Sequence, residues 1–107
     1  MKVLRVHADL TKPPMVIEIE RGLDATKAAI GGGWLEGIGG QGWMGYVDEE
    51  GKLKGLEPNW RATALAWALG WPTGDHLVGT VIFFGPASGG VETDVPDFVV
   101  QALMGEE

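Results

Sequence analysis

Residues 77–84, Leu-Val-Gly-Thr-Val-Ile-Phe-Phe, are apolar at every position except Gly79 and Thr80. A short run this rich in β-branched and aromatic residues is the pattern of a strand buried on both faces. Such a strand belongs near the middle of a sheet, so the remaining elements have to cover it. Gly79 marks a bulge or the close approach of another segment.

Immediately upstream, residues 57–72 carry start and stop signals for one short helix. Pro58 blocks continuation of a strand, and Asn59 is a favoured N-cap. Gly70 and Pro72 end the helix. Between them Ala62, Leu65, Ala66 and Leu69 recur at helical spacing and make one apolar face. Trp60, Thr63 and Trp67 make a second stripe. Two readings of that stripe stand: an unusually wide buried surface, or an aromatic patch kept for a partner. Packing against the sheet and loops is the plainer one.

The rest of the chain supplies the sheet's other members. Residues 43–47 and 52–56 flank Asp48-Glu49-Glu50-Gly51, an acidic, Gly-ended connection that suits a hairpin. Residues 2–8 alternate as a strand with Leu4, Val6 and Ala8 on one face. Residues 16–20 make a second, Ile17 and Ile19 inward, which sets Arg5 and His7 beside Glu18 and Glu20. A helix is expected over 23–30, ended by Gly31-Gly32-Gly33, then a strand over 34–38 and a turn over 39–42. A loop over 86–92 precedes a last helix capped by Asp94, with Asp97 in its first turn. Val95, Val99, Ala102 and Leu103 form its buried stripe, and 105–107 read as a frayed tail. The expected fold class is α/β (α+β type): a small, mostly antiparallel sheet of about five or six strands with two or three packed helices. The order is ββαββ(β)αβα in a single domain over 1–104.

Composition narrows the functional classes. The 107 residues include no cysteine, which removes disulfides, thiolate metal sites and cysteine nucleophiles. Fifteen acidic against eight basic residues give a net charge of −7, which argues against direct binding to a nucleic-acid backbone. A DNA mimic would fit that sign but calls for a denser array of carboxylates. No apolar run approaches a membrane span and the N-terminus reads as a strand, so a cytoplasmic location is the expectation.

Catalytic and cofactor motifs fail on inspection. Gly37, Gly39 and Gly42 spell G-x-G-x-x-G, but a strand follows where pyrophosphate binding needs a helix N-terminus. The span 45–52 is one residue too long for a phosphate loop, and Leu53 stands where Ser or Thr is required. Ser88, the only serine, lies in a Gly-rich loop without an elbow motif. His7 and His76 sit in no metal-ligand spacing. Asp75-His76 reads as a solvated turn before the central strand. No catalytic residue, metal or cofactor is therefore expected.

Four pieces of the chain carry a resemblance: Gly33-Trp34-Leu35-Glu36; the block over 48–63, D-E-E-G-K-L-K-G-L-x-P-N-x-x-A-T; the block over 75–85, D-H-L-V-G-T-V-I-F-F-G; and Asp94-Val95-Pro96. Together they resemble a family of phages, prophages and actinobacteria catalogued as domain of unknown function 3846. The resemblance spans nearly the whole chain and implies a small α/β domain of mobile-element origin. It implies no activity. The Gly-rich segment before Trp43 and the Trp-rich helix depart from the family pattern, so specialised binding is expected there.

The candidate binding residues are Trp34, Glu36, Trp43, Asn59, Trp60, Arg61 and Thr63, with the acidic turn Asp48, Glu49 and Glu50 beside them. Arg61 suits bidentate recognition of carboxylate or phosphate, and the tryptophans offer stacking surface. The structural alternative has Asn59 capping the helix, Thr63 facing a strand and Arg61 paired with Glu57. The expected function is a small acidic phage or mobile-element accessory protein that binds and modulates a host protein, in host takeover or anti-defence, without enzymatic activity. The alternatives are a module sequestering a nucleotide-like small molecule and a small carboxylate-dependent hydrolase. The oligomeric state stays open, a homo-oligomer included, and no membrane partner is expected.

Overall fold

The computed structural model describes residues 1–104; the tail expected at 105–107 lies outside the described residues. Among the described residues the strands are β1 (Lys2–Val6), β2 (Met15–Glu18), β3 (Leu35–Gly40), β4 (Trp43–Asp48), β5 (Val81–Ser88) and β6 (Val91–Thr93). The helices are α1 (Leu23–Ala29), α2 (Trp60–Ala68) and α3 (Asp97–Met104). The strands run antiparallel in the order β2-β1-β5-β4-β3, with β6 paired to the far part of β5. The fold is α+β, with helices on both faces of the sheet.

The apolar run does form the central strand, and its pleat explains both layers. Val81 and Phe83 point into a core shared with Leu4, Val6, Trp43, Val47, Ala62, Leu65 and Val99, the side covered by α2 and α3. Ile82 and Phe84 point the other way, onto Met1, Val3, Ala29 and Ile30 beside α1. All four are fully buried, each worth about 1.5–3 kcal/mol relative to exposure. The strand begins only at Val81. Leu77 and Val78 are buried in the preceding loop, where Val78 makes a single bridge to Pro58. Gly79, at φ +73°, is the close approach expected of it: a Cβ there would lie 2.8 Å from Leu56.

Helix α2 starts where the capping signal put it. Asn59 Oδ1 accepts from the Ala62 amide at 3.0 Å. Ala62, Leu65 and Ala66 are buried and Leu69 is partly so. The second stripe splits, because Thr63 is buried while Trp60 and Trp67 remain exposed.

Several expected elements are rearranged, each for a local reason. Residues 52–56 are not a strand, because β4 already has β3 on one side and β5 on the other. They coil instead into turns, with the Lys54 amide on the Glu50 carbonyl at 3.0 Å and the Leu56 amide on the Gly51 carbonyl at 3.0 Å. The hairpin partner of β4 is β3, which absorbs Gly39 and Gly40 and leaves a two-residue turn at Gln41-Gly42. The expected loop over 86–92 is a hairpin of β5 and β6, with Gly89 and Gly90 both at positive φ (60° and 82°), as tight hairpin turns require. The β1–β2 register places Lys2 opposite Glu18 and Arg5 opposite Met15, so the expected pairing of Arg5 and His7 with Glu18 and Glu20 does not form. Asp94 accepts from the Lys2 amide at 2.9 Å, tying the start of β1 to the approach of α3 instead of capping a helix. Ala102 is exposed and Val100 packs in its stead, while Leu103 packs against the core as expected.

Candidate functional site

The residues singled out in the sequence do not converge on one place. Trp43, Asn59 and Thr63 are interior, each at most 1% exposed. The Trp43 indole donates to the Leu69 carbonyl at 2.9 Å. The Asn59 amide nitrogen donates to the carbonyls of Val6 and Gly79 at 2.9 and 2.8 Å. Thr63 Oγ1 donates to the Asn59 carbonyl and accepts from the Leu77 amide. These three hold α2 to the sheet and to the loop before β5.

Arg61 is also committed within the fold. Its Nη2 donates to the carbonyls of His7, Asp9 and Lys12 at 2.6, 3.0 and 3.0 Å. It pins the β1–β2 connection onto α2 and does not pair with Glu57. Trp34 is exposed on another face, under the Lys27 ammonium 4.1 Å from its ring centroid.

Of the acidic residues, Glu36, Asp48 and Glu49 border one cleft and Glu50 does not. Glu36 and Val47 are partners in the β3–β4 register, as are Leu35 and Asp48, so Glu36 and Asp48 leave the sheet at the same end. The chain then turns back through Glu49 and Lys52, and the loop over 71–78 forms the opposite wall. Together they enclose a cleft of about 160 Å³ with Ile38, Val47, Trp71 and Leu77 on its apolar side and Glu36, Asp48, Glu49, Asp75 and His76 on its polar side. Lys52 reaches across to Asp75 at 2.5 Å.

Asp48 is the buried member. Burial alone would raise its pKa, but the Lys54 ammonium at 2.6 Å and the Glu50 amide at 3.0 Å outweigh it and hold the carboxyl below the usual range. Gly33, at φ +93°, makes room, since a Cβ there would come within 2.6 Å of the Asp48 carboxylate. Lys52 and the His76 amide likewise hold Asp75 below its ordinary value. Glu36 and Glu49 carry no salt bridge among the described residues.

The rim is aromatic. His76, which lines the cleft, stacks against Trp60 with centroids 5.2 Å apart and an interplanar angle of 26°. Trp60 is 58% exposed, held in place without being covered. Trp67 is also exposed, its indole donating to the Thr73 carbonyl at 3.0 Å, and Leu53 on the acidic turn is 89% exposed. The arrangement joins the acidic turn, Trp60 of α2 and Asp75-His76, the pair that reads from sequence as a mere turn. Trp71 follows a helix stop in the sequence, and nothing there signals that it walls a cleft.

A second, larger hollow of about 430 Å³ lies on the α1 face between Leu23, Leu35, Met44, Tyr46 and Val91. Tyr46 donates to Glu92 at 2.7 Å across it, and burial together with Glu92 pushes the phenol up to about 12. Among the described residues no three of the metal-ligating side chains lie close enough to hold an ion, and no helix is long and apolar enough to cross a membrane.

Among curated proteins and solved structures there is no significant match to the chain. A family model does match, over residues 1–106, and the protein therefore belongs to the family described as domain of unknown function 3846.

Proposed function

We propose that this protein is a small acidic accessory protein of phage or mobile-element type that binds and modulates a host protein, as in host takeover or anti-defence, without catalysing a reaction. The observation that carries this reading is Trp60, exposed yet stacked on His76, at the rim of an acid-lined cleft. Ordered aromatic side chains that stay in solvent are the anchors of protein interfaces, and they give contact area at low entropic cost. The cleft beside it, at about 160 Å³, suits the end of one cationic side chain better than a nucleotide, whose sites run to roughly 300 Å³ and more. A partner surface that pairs an apolar patch with a Lys or Arg fits this combination. The mobile-element part of the reading rests on what the family resemblance implies.

The alternatives have less support. Sequestration of a nucleotide-like molecule by the Gly-rich segment, the tryptophans and Arg61 requires groups that lie apart, with Arg61 already engaged by three carbonyls. A carboxylate-dependent hydrolase needs a proton donor near neutral pH, and Asp48 and Asp75 are both held ionised by lysines.

The test is quantitative capture from host lysate with the wild type, Trp60→Ala and Glu49→Lys. A single stoichiometric host protein, lost with both variants while Trp67→Ala or a distant substitution such as Val91→Thr retains it, supports the reading. Capture that ignores both variants, or no capture from any candidate host, removes it.

A further inference from the structure

In a chain of net charge −7, one corner is basic. Arg5, His7 and Lys12 line a hollow of about 290 Å³ with Pro13 and Met15. The register explains the gathering. Arg5 pairs with Met15 across β1 and β2, so their side chains share a face, and His7 follows two residues along on the same side. Lys12 and Pro13 come from the loop that joins the two strands. None of these residues lines the acidic cleft.

Little negative charge opposes them. The salt bridges among the described residues engage Lys52 and Lys54 but not Arg5, Lys12 or Arg61. Asp9 is the nearby carboxylate, and it turns back into its own loop to accept from the amide and hydroxyl of Thr11 at 2.9 and 2.7 Å. The carbonyls of His7, Asp9 and Lys12, which would otherwise offer negative poles, are all spent on Arg61. Among the described residues that guanidinium meets no carboxylate, and its buried Nε has no acceptor. Arg61 therefore fixes the loop while adding its own charge behind it. His7 Nδ1 is held by Thr80 Oγ1 at 3.0 Å, which orients the ring. The imidazole is depressed below its ordinary value by burial, then by Arg5, Lys12 and Arg61, against a smaller opposing effect of Asp9.

We propose that Arg5, His7 and Lys12 form a receptor for the phosphate group of a small phosphomonoester, whose apolar body lies along Pro13 and Met15. Arg5 supplies a planar fork of donors and Lys12 a mobile point charge, the usual division of labour around a phosphate. The volume of about 290 Å³ exceeds what the anion alone needs and leaves room for an organic group. The ligand class is thus a phosphorylated metabolite or nucleoside monophosphate.

The test is an NMR titration of the intact protein with inorganic phosphate and, separately, with AMP, following the His7 ring and the amides over 5–13. Saturable shifts confined to this corner are expected with both. The His7 pKa should rise on binding, because an anion favours the imidazolium. Arg5→Gln and Lys12→Gln should each weaken binding by roughly tenfold, while Arg21→Gln, outside the corner, should not. Thermal melts check that each variant is folded. Absence of saturable shifts, or affinity unchanged in the folded Arg5→Gln/Lys12→Gln protein, overturns the proposal. AMP binding no tighter than phosphate overturns the role given to Pro13 and Met15.

Discussion

The Trp43 indole nitrogen donates to the Leu69 carbonyl at 2.9 Å, joining the start of β4 to the last turn of α2. The bond exists because Gly40, the partner of Trp43 across the β3–β4 hairpin, has no side chain. A Cβ at Gly40 would stand 2.6 Å from the indole nitrogen and 2.9 Å from the Leu69 oxygen. Gly40→Ala should therefore destabilise the protein by about 1–3 kcal/mol through overpacking. Trp43→Phe should cost at least about 1 kcal/mol through the orphaned carbonyl and the lost volume. Urea midpoints measure both, and a neutral Gly40→Ala would mean that the two elements part easily.

Asn59 separates two roles that an N-cap usually merges. Its oxygen caps α2, and its nitrogen holds the Val6 and Gly79 carbonyls. Aspartate is ordinarily as good a cap as asparagine. Here Asn59→Asp should be at least as damaging as Asn59→Ala, about 2–4 kcal/mol, because a carboxylate oxygen would face two buried carbonyls. Equal stability of Asn59→Asp and wild type at pH 7 would refute the tether.

Lys54 should matter in a pH-dependent way. The folded pKa of Asp48 is depressed, so its contribution is fully present above the unfolded value of about 3.9 and is lost as pH falls through the lower folded value. In Lys54→Met the ammonium that opposes the effect of burial is lost, so ionised Asp48 is less well stabilised at neutral pH. The variant should be weaker by about 1–2 kcal/mol at pH 7, a modest figure because Lys54 is half exposed. The gap should narrow only as pH falls below about 4 and should close below the depressed folded value of wild-type Asp48, where the carboxyl is neutral in both proteins. Denaturant titrations at pH 7, 5 and 3 read this directly, and a pH-independent gap would contradict it.

Arg61→Ala should loosen the β1–β2 connection more than it disturbs α2. Three carbonyls lose their donor, and cleavage by thermolysin on the amino side of Leu10, which lies exposed in that connection, is expected to become measurably faster. Arg61→Lys should rescue only part of this, because an ammonium lacks the planar reach of the guanidinium. Limited proteolysis followed by mass spectrometry locates the cut.

The sequence makes some of this legible and hides the rest for physical reasons. Pro58-Asn59 and Gly70 delimit α2 because capping is a local matter, and the apolar density of 81–84 marks the central strand because burial on both faces leaves no polar position. The β3–β4 hairpin is harder to see. Gly39 and Gly40 look like turn residues, yet Gly40 is in the strand to clear the Trp43 indole, a requirement set by a carbonyl 29 residues away. The acidic turn stands out in the sequence at Asp48, Glu49 and Glu50, but Trp71, Asp75 and His76, which line the cleft with Asp48 and Glu49, reach it only through the tertiary fold. Arg61 looks like a ligand-binding residue because its chemistry is the same whether the oxygens it meets are a guest's or the chain's own.

The position of β5 also bears on how the chain reaches this state. Phe83 pairs with Leu4 on one side and Gly45 on the other, so the hairpin of β1 and β2 has no sheet to join until residues 81–84 have been made. During synthesis β1 and β2 must wait with an open edge and an unburied apolar face. Contacts that distant are entropically costly to close and slow to form. The last third of the sequence therefore acts as the ratchet for the first, and a ribosome stalled before residue 81 would release a chain in which neither layer of the core can assemble.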